Sequence, residues 1–371
     1  MAEKYLGESV KKLGFGFMRL PRLENGEFDL DLVCRMVDRF LEAGGTYFDT
    51  AYVYMGSEEA MRKTLVERHP RDAYTIASKM PMVDTNDASE LPVKFEESLR
   101  RLGTDYFDFY LLHALNGQLL EKSEKLGAWD FIRAEKEKGR IRHIGFSFHG
   151  PAEELEEILK RHPETEFVQL QINYLDWDDP EVQSEKCWAT ARKYNVPVVI
   201  MEPVKGGMLA AEESPVTPVL KACAPDKSIA SWAIRFASQV EGLIAALSGM
   251  NSMEQLEDNL ATVESAKPFT DDEKAVLNKA VEVFRSVPRV PCTGCAYCVE
   301  NCPMNIKIPQ LMEIYNDYLV YKTVTNSGFA YMHATADAGK PHDCVKCRSC
   351  EEHCPQKIEI SDVMGKVAEL F

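Results

Sequence analysis

Apolar residues are spaced in two alternating ways from about residue 12 to residue 265. Eight short runs, apolar at successive positions, are separated by longer stretches in which apolar residues recur at helical spacing. The runs predicted to form strands are 13–17, 46–49, 74–79, 106–113, 141–147, 167–173, 196–202 and 243–248. The stretches predicted to form helices are 31–41, 58–68, 91–102, 125–138, 152–161, 181–194, 228–237 and 252–264.

The order of these elements indicates the fold class. Strands that are apolar on both faces are typical of a parallel sheet covered by helices. A doubly wound open sheet uses fewer strands and opens with a G-x-G-x-x-G turn, whereas the first run here, LGFGFMRL (13–20), has only two glycines. Eight strands, each followed by a helix, predict an α/β protein with a (β/α)₈ TIM barrel.

A further helix is predicted at 270–286, where TDDE (270–273) provides a capping sequence. The proline-rich segment VPRVP (287–291) follows it and marks the best candidate boundary. We therefore predict two domains, a barrel at 1–286 and a second domain at 287–371, in which eight cysteines in two ferredoxin-type runs predict a ferredoxin-like fold.

Cysteine is concentrated in the second of these domains. Eight of the eleven cysteines form two copies of C-x₂-C-x₂-C-x₃-C-P, the run that is found in bacterial ferredoxins. Because the fourth cysteine of such a run ligates the other cluster, we predict two [4Fe-4S] clusters with crossed ligation. The first cluster is assigned to Cys292, Cys295, Cys298 and Cys354, and the second to Cys344, Cys347, Cys350 and Cys302. Zinc is the alternative, but it prefers simple pairs of C-x₂-C.

The charge and composition of the chain limit the kinds of partner that it can bind. The net charge of −16 disfavours binding to nucleic acid and to an anionic membrane surface. Apolar runs are too short to cross a membrane, and MAEKYLGESVKKLG (1–14) lacks the apolar core of a signal peptide. We expect a cytoplasmic protein.

Polar residues at the ends of the second, third and fourth predicted strands suggest the chemistry. They are Asp49, Tyr54, Lys79 and His113, and the carboxyl ends of barrel strands form the active site in this fold. Hydride addition to a carbonyl leaves an alkoxide that needs a proton, and tyrosine, with a pKa of about 10, is a weak donor. We expect Lys79 to lower the pKa of Tyr54, Asp49 to hold Lys79, and His113 to hydrogen-bond the carbonyl oxygen.

Several motifs resemble those of the aldo/keto reductases over roughly residues 10–265. They are FDTAYVY (48–54), ASK (77–79), ESLRRLGTDYFDFYLLH (97–113) and GFS (145–147). With the cysteine repeat, the chain is similar to aldo/keto reductases that carry a fused two-cluster ferredoxin domain. The resemblance implies a TIM barrel, a tetrad of these same four residues, and a nicotinamide lying across the top of the barrel.

The resemblance also implies residues that contact the cofactor. Ser147 and Gln171 match the positions that bind the carboxamide, and Gln255, Asp258 and Asn259 match those near the adenosine. The chain departs from the family at Phe148, which replaces an asparagine, and at Met201, which replaces a stacking tyrosine. No lysine or arginine occurs between residues 236 and 266, where the family binds a 2′-phosphate. We therefore expect NADH to be accepted at least as well as NADPH.

The clusters leave three functions open, because a cluster passes single electrons whereas a nicotinamide passes two as hydride. In the first, the protein is an NAD(P)H-dependent reductase of a small carbonyl substrate, and the cluster domain is structural, sensory or a docking surface for a ferredoxin or flavodoxin. In the second, the barrel holds FMN and receives electrons from the clusters. The residues expected to hold the FMN phosphate are Lys205, Gly206, Gly207, Ser248 and Gly249. In the third, a barrel without activity carries electrons or senses redox state.

Overall fold

The structure, a computed structural model, describes most of the chain. The described residues are 4–5, 8–180, 182–287, 289–290, 292, 298–299, 302–322, 324–352, 354 and 358–371. The chain divides into two compact units, one that runs to Lys205 and includes Ser231–Pro268, and one formed by Gly206–Ala230 and Phe269–Phe371. The predicted domain boundary between residues 286 and 287 stays a prediction.

A closed barrel of eight parallel strands forms the first unit, which confirms the predicted fold. Each strand pairs with the next along the chain, and the eighth pairs with the first. The strands are β1 Leu13–Gly16, β2 Tyr47–Asp49, β3 Thr75–Met80, β4 Phe107–Leu115, β5 Ile141–Phe148, β6 Phe167–Gln171, β7 Val198–Met201 and β8 Leu243–Ser248. A short antiparallel pair, Lys4–Tyr5 with Glu8–Ser9, precedes them.

Helices follow the strands, and those of the first unit cover the barrel. The helices up to residue 264 are α1 Leu30–Glu42, α2 Ser57–Met61, α3 Glu90–Leu102, α4 Gly117–Lys125, α5 Ala128–Glu137, α6 Ala152–Arg161, α7 Ser184–Lys193, α8 Thr217–Cys223, α9 Ile229–Ser238 and α10 Met253–Glu264. A π-helical turn, Arg62–Val66, continues α2. The predicted helix at 125–138 is wrong in extent, because Gly127 adopts a left-handed φ of 71° and separates α4 from α5.

Along β2, β3, β4, β6 and β7, successive apolar residues belong to two different cores. Phe48, Ile76 and Tyr110 belong to a large core that also contains the buried residues of the surrounding helices. Tyr47, Ala77, Phe109, Phe167 and Val199 belong to a separate cluster. Because successive side chains of a strand point to opposite faces, this second cluster fills the barrel interior.

The second unit is mainly helical. Besides α8 it contains α11 Asp271–Ser286, α12 Ile308–Tyr321, α13 Val324–Thr335, α14 Ser349–Glu352 and α15 Ile360–Leu370. The predicted cap of α11 is present: Thr270 Oγ1 accepts from the Glu273 backbone N–H, and the Glu273 carboxylate accepts from the Thr270 N–H. Across the described ranges, no helix has the length and apolar character needed to cross a bilayer.

Candidate active site and iron–sulfur site

The period of two along the strands positions the candidate catalytic residues. Asp49 lies two residues beyond Tyr47 on β2, and Lys79 lies two beyond Ala77 on β3. His113 continues the inward face of β4 that begins at Phe109. These side chains therefore lie above the apolar interior, at the carboxyl end of the barrel, where active sites of this fold are built.

Lys79 and Asp49 form a buried ion pair. The Lys79 ammonium donates to Asp49 Oδ1 at 2.7 Å and to the Thr50 carbonyl at 2.7 Å. Gln169, on β6, donates to the other carboxylate oxygen of Asp49 at 3.4 Å. A lysine and an aspartate are almost never fully buried unless they are paired, so each fixes the position of the other.

Tyr54 and His113 lie against this pair. The Lys79 nitrogen is 5.1 Å from the centroid of the Tyr54 ring and interacts with its hydroxyl. The His113 ring meets the Tyr54 ring edge-on, with centroids 5.8 Å apart and planes at 80°. The structure therefore brings all four tetrad side chains together, and Tyr54 and His113 are only partly buried, so a substrate can approach them.

The loop that carries Tyr54 is anchored at both ends. Thr50 and Ser57 share a buried hydroxyl–hydroxyl hydrogen bond at 2.7 Å, and Ser57 donates to the Phe17 carbonyl. Glu58, buried at the start of α2, accepts from Ser78 and from Ser98 on α3. These four hydrogen bonds hold the turn that contains Tyr54 against the barrel wall.

The charges of the site differ from expectation in one respect. Burial lowers the pKa of Lys79, but the Asp49 carboxylate and the Tyr54 hydroxyl outweigh burial, so its pKa is raised and the ammonium persists. Burial raises the pKa of Tyr54 above its usual value; Lys79 lowers it, but not enough to compensate. Lys79 thus acts on the pKa of Tyr54 in the expected direction, but removal from water, with the charges of Asp49 and Glu202, outweighs it and the pKa is raised overall.

His113 is a neutral imidazole. Burial lowers its pKa to about 3, and the positive charge of Lys79 and the neighbouring His149 act in the same direction. A neutral imidazole has one N–H donor and one acceptor nitrogen. His113 can therefore donate to a carbonyl oxygen without carrying charge.

The predicted carboxamide contacts lie on neighbouring strands. Ser147 is buried on β5 and accepts from the Ala114 N–H at 2.8 Å, so its own proton is available to donate. Gln171, at the end of β6, lies level with Met201 on β7. Met201 is partly exposed at that edge and offers a flexible thioether in place of the stacking tyrosine that the resemblance implies.

Lys205, a predicted phosphate ligand, is paired with a carboxylate in this structure, and its phosphate role stays a prediction. Its ammonium donates to Asp176 Oδ1 at 2.6 Å, and Asp176 is almost completely buried. The other oxygen of Asp176 accepts from Gln171 at 2.7 Å and from Asn173 at 2.8 Å. One carboxylate therefore positions the Gln171 amide and neutralises Lys205. Gly206, which begins the second unit, has a left-handed φ of 64°.

The predicted adenosine contacts are grouped around the end of β8. Asn259, buried on α10, donates to Ser248 Oγ at 2.9 Å, which ties that helix to the strand. Gly249 follows Ser248 directly, and Gln255 accepts from the Asn251 N–H at 2.9 Å. Asp258 lies in the same helix, which has no basic residue.

Two charged residues at the same end of the barrel lie near the tetrad. Arg19 and Glu202 form a partly exposed ion pair at 3.8 Å. Glu202 holds a left-handed φ of 56°, a conformation that is uncommon for a residue other than glycine, and its charge acts on both Tyr54 and His149.

Cysteines of the second predicted cluster surround one cavity in the second unit. Cys302, Cys344, Cys347 and Cys350 all line it, which is the crossed set that the sequence predicts. Its other walls are mainly apolar, with Ile306, Ile308, Ile360 and Met364 among them. No three His, Cys, Asp or Glu side chains of the described chain converge on a point that would suit a single ion. Four cysteines around one cavity match the number of thiolates that hold a [4Fe-4S] cluster.

The loop that holds these thiols has two residues other than glycine with positive φ. Lys346 and Arg348, on either side of Cys347, have left-handed φ values of 54° and 62°. Such turns direct successive N–H groups into a concavity that favours negative charge. Burial raises the pKa of the Cys350 thiol to about 11, and the charges of Glu351, Cys344 and Cys302 act in the same direction.

Cysteines of the first predicted cluster are described in part. Cys298 and Cys354 are buried in the core of the second unit, and Cys292 packs against it. Cys295 lies outside the described residues. The ligation of this cluster stays a prediction.

Sequence reasoning missed three residues that support the site. Gln169, Asp176 and Glu58 are buried and hold Asp49, Gln171 and the Tyr54 loop, respectively. Gln169 had a visible signal, since it lies two residues before Gln171 and so on the same inward face of β6. Asp176 and Glu58 lie in a loop and a short helix, where spacing gives no comparable signal.

Fold and site together define a barrel protein with a buried lysine–aspartate pair beside tyrosine and histidine, followed by a cysteine-rich unit. The sequence model of the Aldo/keto reductase family matches residues 12–282. A 4Fe-4S dicluster domain matches residues 291–359. The chain therefore belongs to the aldo/keto reductase family and carries a C-terminal 4Fe-4S domain.

Two of the relatives match part of this chain and part of their own length. An aldo-keto reductase from Strobilurus tenacellus is 27% identical over 220 residues, 56% of this chain and 62% of that protein. An NAD/NADP-dependent indole-3-acetaldehyde reductase from Schizosaccharomyces pombe is 33% identical over 160 residues, 43% of this chain and 52% of that protein. The chain thus spans between half and two thirds of the length of these relatives.

A solved structure shares the fold. The aldo/keto reductase from Klebsiella pneumoniae in complex with NADPH superposes with a TM-score of 0.57 at 21% identity, covering 75% of this chain and 95% of that one. At this identity the likeness supports the barrel alone.

Proposed function

We propose that the barrel is an oxidoreductase that reduces an aldehyde or ketone with hydride from NAD(P)H. The observation that carries the proposal is the convergence of Lys79, Asp49, Tyr54 and His113 at the carboxyl end of the barrel. A bound nicotinamide supplies the hydride, and the protein must supply a proton and polarise the carbonyl.

Each tetrad residue has a separate task in this proposal. The neutral His113 donates its N–H to the carbonyl oxygen and so stabilises the negative charge that develops there. Tyr54 transfers its phenolic proton to that oxygen as the alcohol forms. Lys79 stabilises the phenolate that remains, and Asp49 keeps Lys79 charged and in place.

Residues of the barrel fit a nicotinamide cofactor at two points. Ser147 has a buried hydroxyl with a proton to donate, and Gln171 is held by Asp176 at the strand end beside Met201. The relative from Schizosaccharomyces pombe is named as using NAD or NADP. Because α10 is acidic and lacks lysine and arginine, we propose that NADH is used at least as well as NADPH.

We also propose that the C-terminal domain holds two [4Fe-4S] clusters with crossed ligation. The cavity that brings Cys302 to Cys344, Cys347 and Cys350 supports the crossing. We propose that the clusters exchange single electrons with a protein such as a ferredoxin or flavodoxin.

FMN in the barrel is a second candidate, favoured by the fused clusters and by Met201 in place of a stacking aromatic residue. A flavin converts hydride into single electrons, which a nicotinamide does not do directly. The geometry of Lys205 speaks against it, since this cation is already paired with Asp176. Nicotinamide therefore remains the first proposal.

One experiment separates the two candidates. The anaerobically purified protein is mixed with NADH or NADPH and a panel of aldehydes, before and after oxygen has destroyed the clusters. Nicotinamide chemistry in the barrel predicts that carbonyl-dependent oxidation of NADH survives cluster loss. Reduction that stops with the clusters, in a protein that releases FMN, supports the flavin; no turnover under any condition supports a barrel without activity.

A further inference from the structure

The loop around the second cluster cavity combines an exposed ligand with positive charge. Cys347 is exposed, whereas Cys350, three residues later, is buried. The basic loop surface, as we term it, consists of the exposed residues Lys340, His342, Val345, Lys346, Cys347 and Arg348. A cluster held by Cys347 therefore has one edge at the protein surface.

Charge on this surface is only weakly neutralised. Lys346 makes no ion pair within the described part of the chain, and Arg348 reaches Glu351 and Asp362 only at 3.9 and 4.0 Å. Asp343 is the one carboxylate in segment 340–348, and it accepts from the Lys340 backbone N–H. Segment 340–348 therefore carries two lysines and one arginine against one carboxylate, on a chain whose net charge is −16.

Apolar side chains lie within the same surface. Val345 is 59% exposed, and Met304, which lines the same cavity as Cys347, is 36% exposed. Protein interfaces commonly place apolar contacts at the centre with charges at the rim. The arrangement matches a small docking surface for a protein rather than for a free anion.

We propose that the basic loop surface docks an acidic one-electron carrier protein, which exchanges electrons with the second cluster through its exposed edge at Cys347. This inference rests on the proposed presence of that cluster. In each encounter one electron leaves the reduced partner and enters the oxidised cluster, or the reverse, and no bond forms or breaks. Because the rest of the chain repels an acidic protein, local attraction at this loop selects the productive orientation.

The test reverses the charge of the loop and compares it with a matched change elsewhere. The test variant is Lys346→Glu with Arg348→Glu; the control is Lys279→Glu with Lys366→Glu, exposed residues of α11 and α15 in the same unit. Anaerobic stopped-flow measures how fast an acidic plant-type [2Fe–2S] ferredoxin, pre-reduced and freed of reductant, bleaches the cluster absorbance. Methyl viologen radical, a small cationic donor, is the second reductant, and iron content is measured for every variant.

At low ionic strength the loop reversal should slow reduction by ferredoxin about tenfold, and this difference should shrink in 0.5 M salt. The control pair should keep parental rates with both donors, and the loop reversal should not slow the viologen reaction, because a cationic donor is attracted by the added negative charge. A ferredoxin rate within about twofold of the parent, or an equal loss in the control pair, would overturn the docking site while leaving the clusters in place. A parent protein that binds no iron, or whose iron viologen cannot reduce, would instead overturn the proposed clusters.

Discussion

Replacing Tyr54 with phenylalanine removes one hydroxyl from the site and leaves its packing. The ring contacts with His113 and Lys79 involve the ring itself, so the fold and cofactor binding should persist. General acid catalysis typically contributes about 10²–10⁴-fold, so the barrier to carbonyl reduction should rise by about 3–5 kcal/mol. Iron content should not change.

The assay is a single turnover of NADH with an aldehyde, followed anaerobically at 340 nm, with NADH affinity measured separately. Tyr52→Phe is the matched control, because Tyr52 lies in the same loop but its ring packs under the Arg101 guanidinium at 4.3 Å. The control should keep the parental rate. A Tyr54→Phe protein that turns over within about threefold of the parent would refute Tyr54 as proton donor.

Three further predictions follow from the same geometry. Asp49→Asn removes the charge that balances the buried Lys79 ammonium and leaves it only neutral acceptors such as the Thr50 carbonyl, so the free energy of unfolding at pH 7 should fall by about 3 kcal/mol. The pKa of Lys79 is raised in the folded protein. The stabilisation is therefore complete below the unfolded pKa of Lys79, about 10.5, and is lost as the pH rises through the folded pKa. The difference in free energy of unfolding between the parent and Asp49→Asn should narrow toward high pH. Urea unfolding, followed by tryptophan fluorescence, measures the free energy of unfolding, and the exposed Asp130→Asn is the control. The pH–rate profile should show no limb near pH 6.5, because the pKa of His113 is lowered to about 3. The rate should fall only above about pH 10, where Tyr54 loses its proton. A limb between about pH 6 and 7 would contradict a neutral His113 imidazole. If ligation is crossed, Cys302→Ala, Cys347→Ala and the double variant should each lose the same cluster, about four irons, and Cys223→Ala none; additive loss of about eight irons in the double variant would show that the two cysteines serve different clusters.

The barrel was predictable because burial on both faces leaves a plain pattern in the sequence. All eight strands fall within about two residues of their predicted ends, and the inward position of Asp49 and Lys79 follows from the period of two. The ends of the helices were harder to predict from the sequence. Gly127 interrupts one amphipathic pattern without changing its polarity, and α13 and α15 lie outside the stretches with predicted periodicity.

The electrostatics of the site were not accessible from sequence. The sign of the Tyr54 shift depends on how far the hydroxyl is removed from water compared with one neighbouring ammonium, a balance that exists only in three dimensions. Lys205 illustrates the same limit. Its position after β7 suggested a phosphate ligand, but the buried Asp176, which reaches it from the loop after β6, already pairs with it.

Cofactor content of the protein purified without oxygen tests the central claim most directly. Iron, acid-labile sulfide, flavin and nicotinamide are counted per chain, and a spectrum is recorded before and after NADH is added. A nicotinamide-dependent barrel fused to two clusters predicts about eight irons, about eight sulfides, no flavin, and saturable binding of NADH. One flavin per chain would contradict the nicotinamide assignment, and about four irons or fewer would contradict the two clusters.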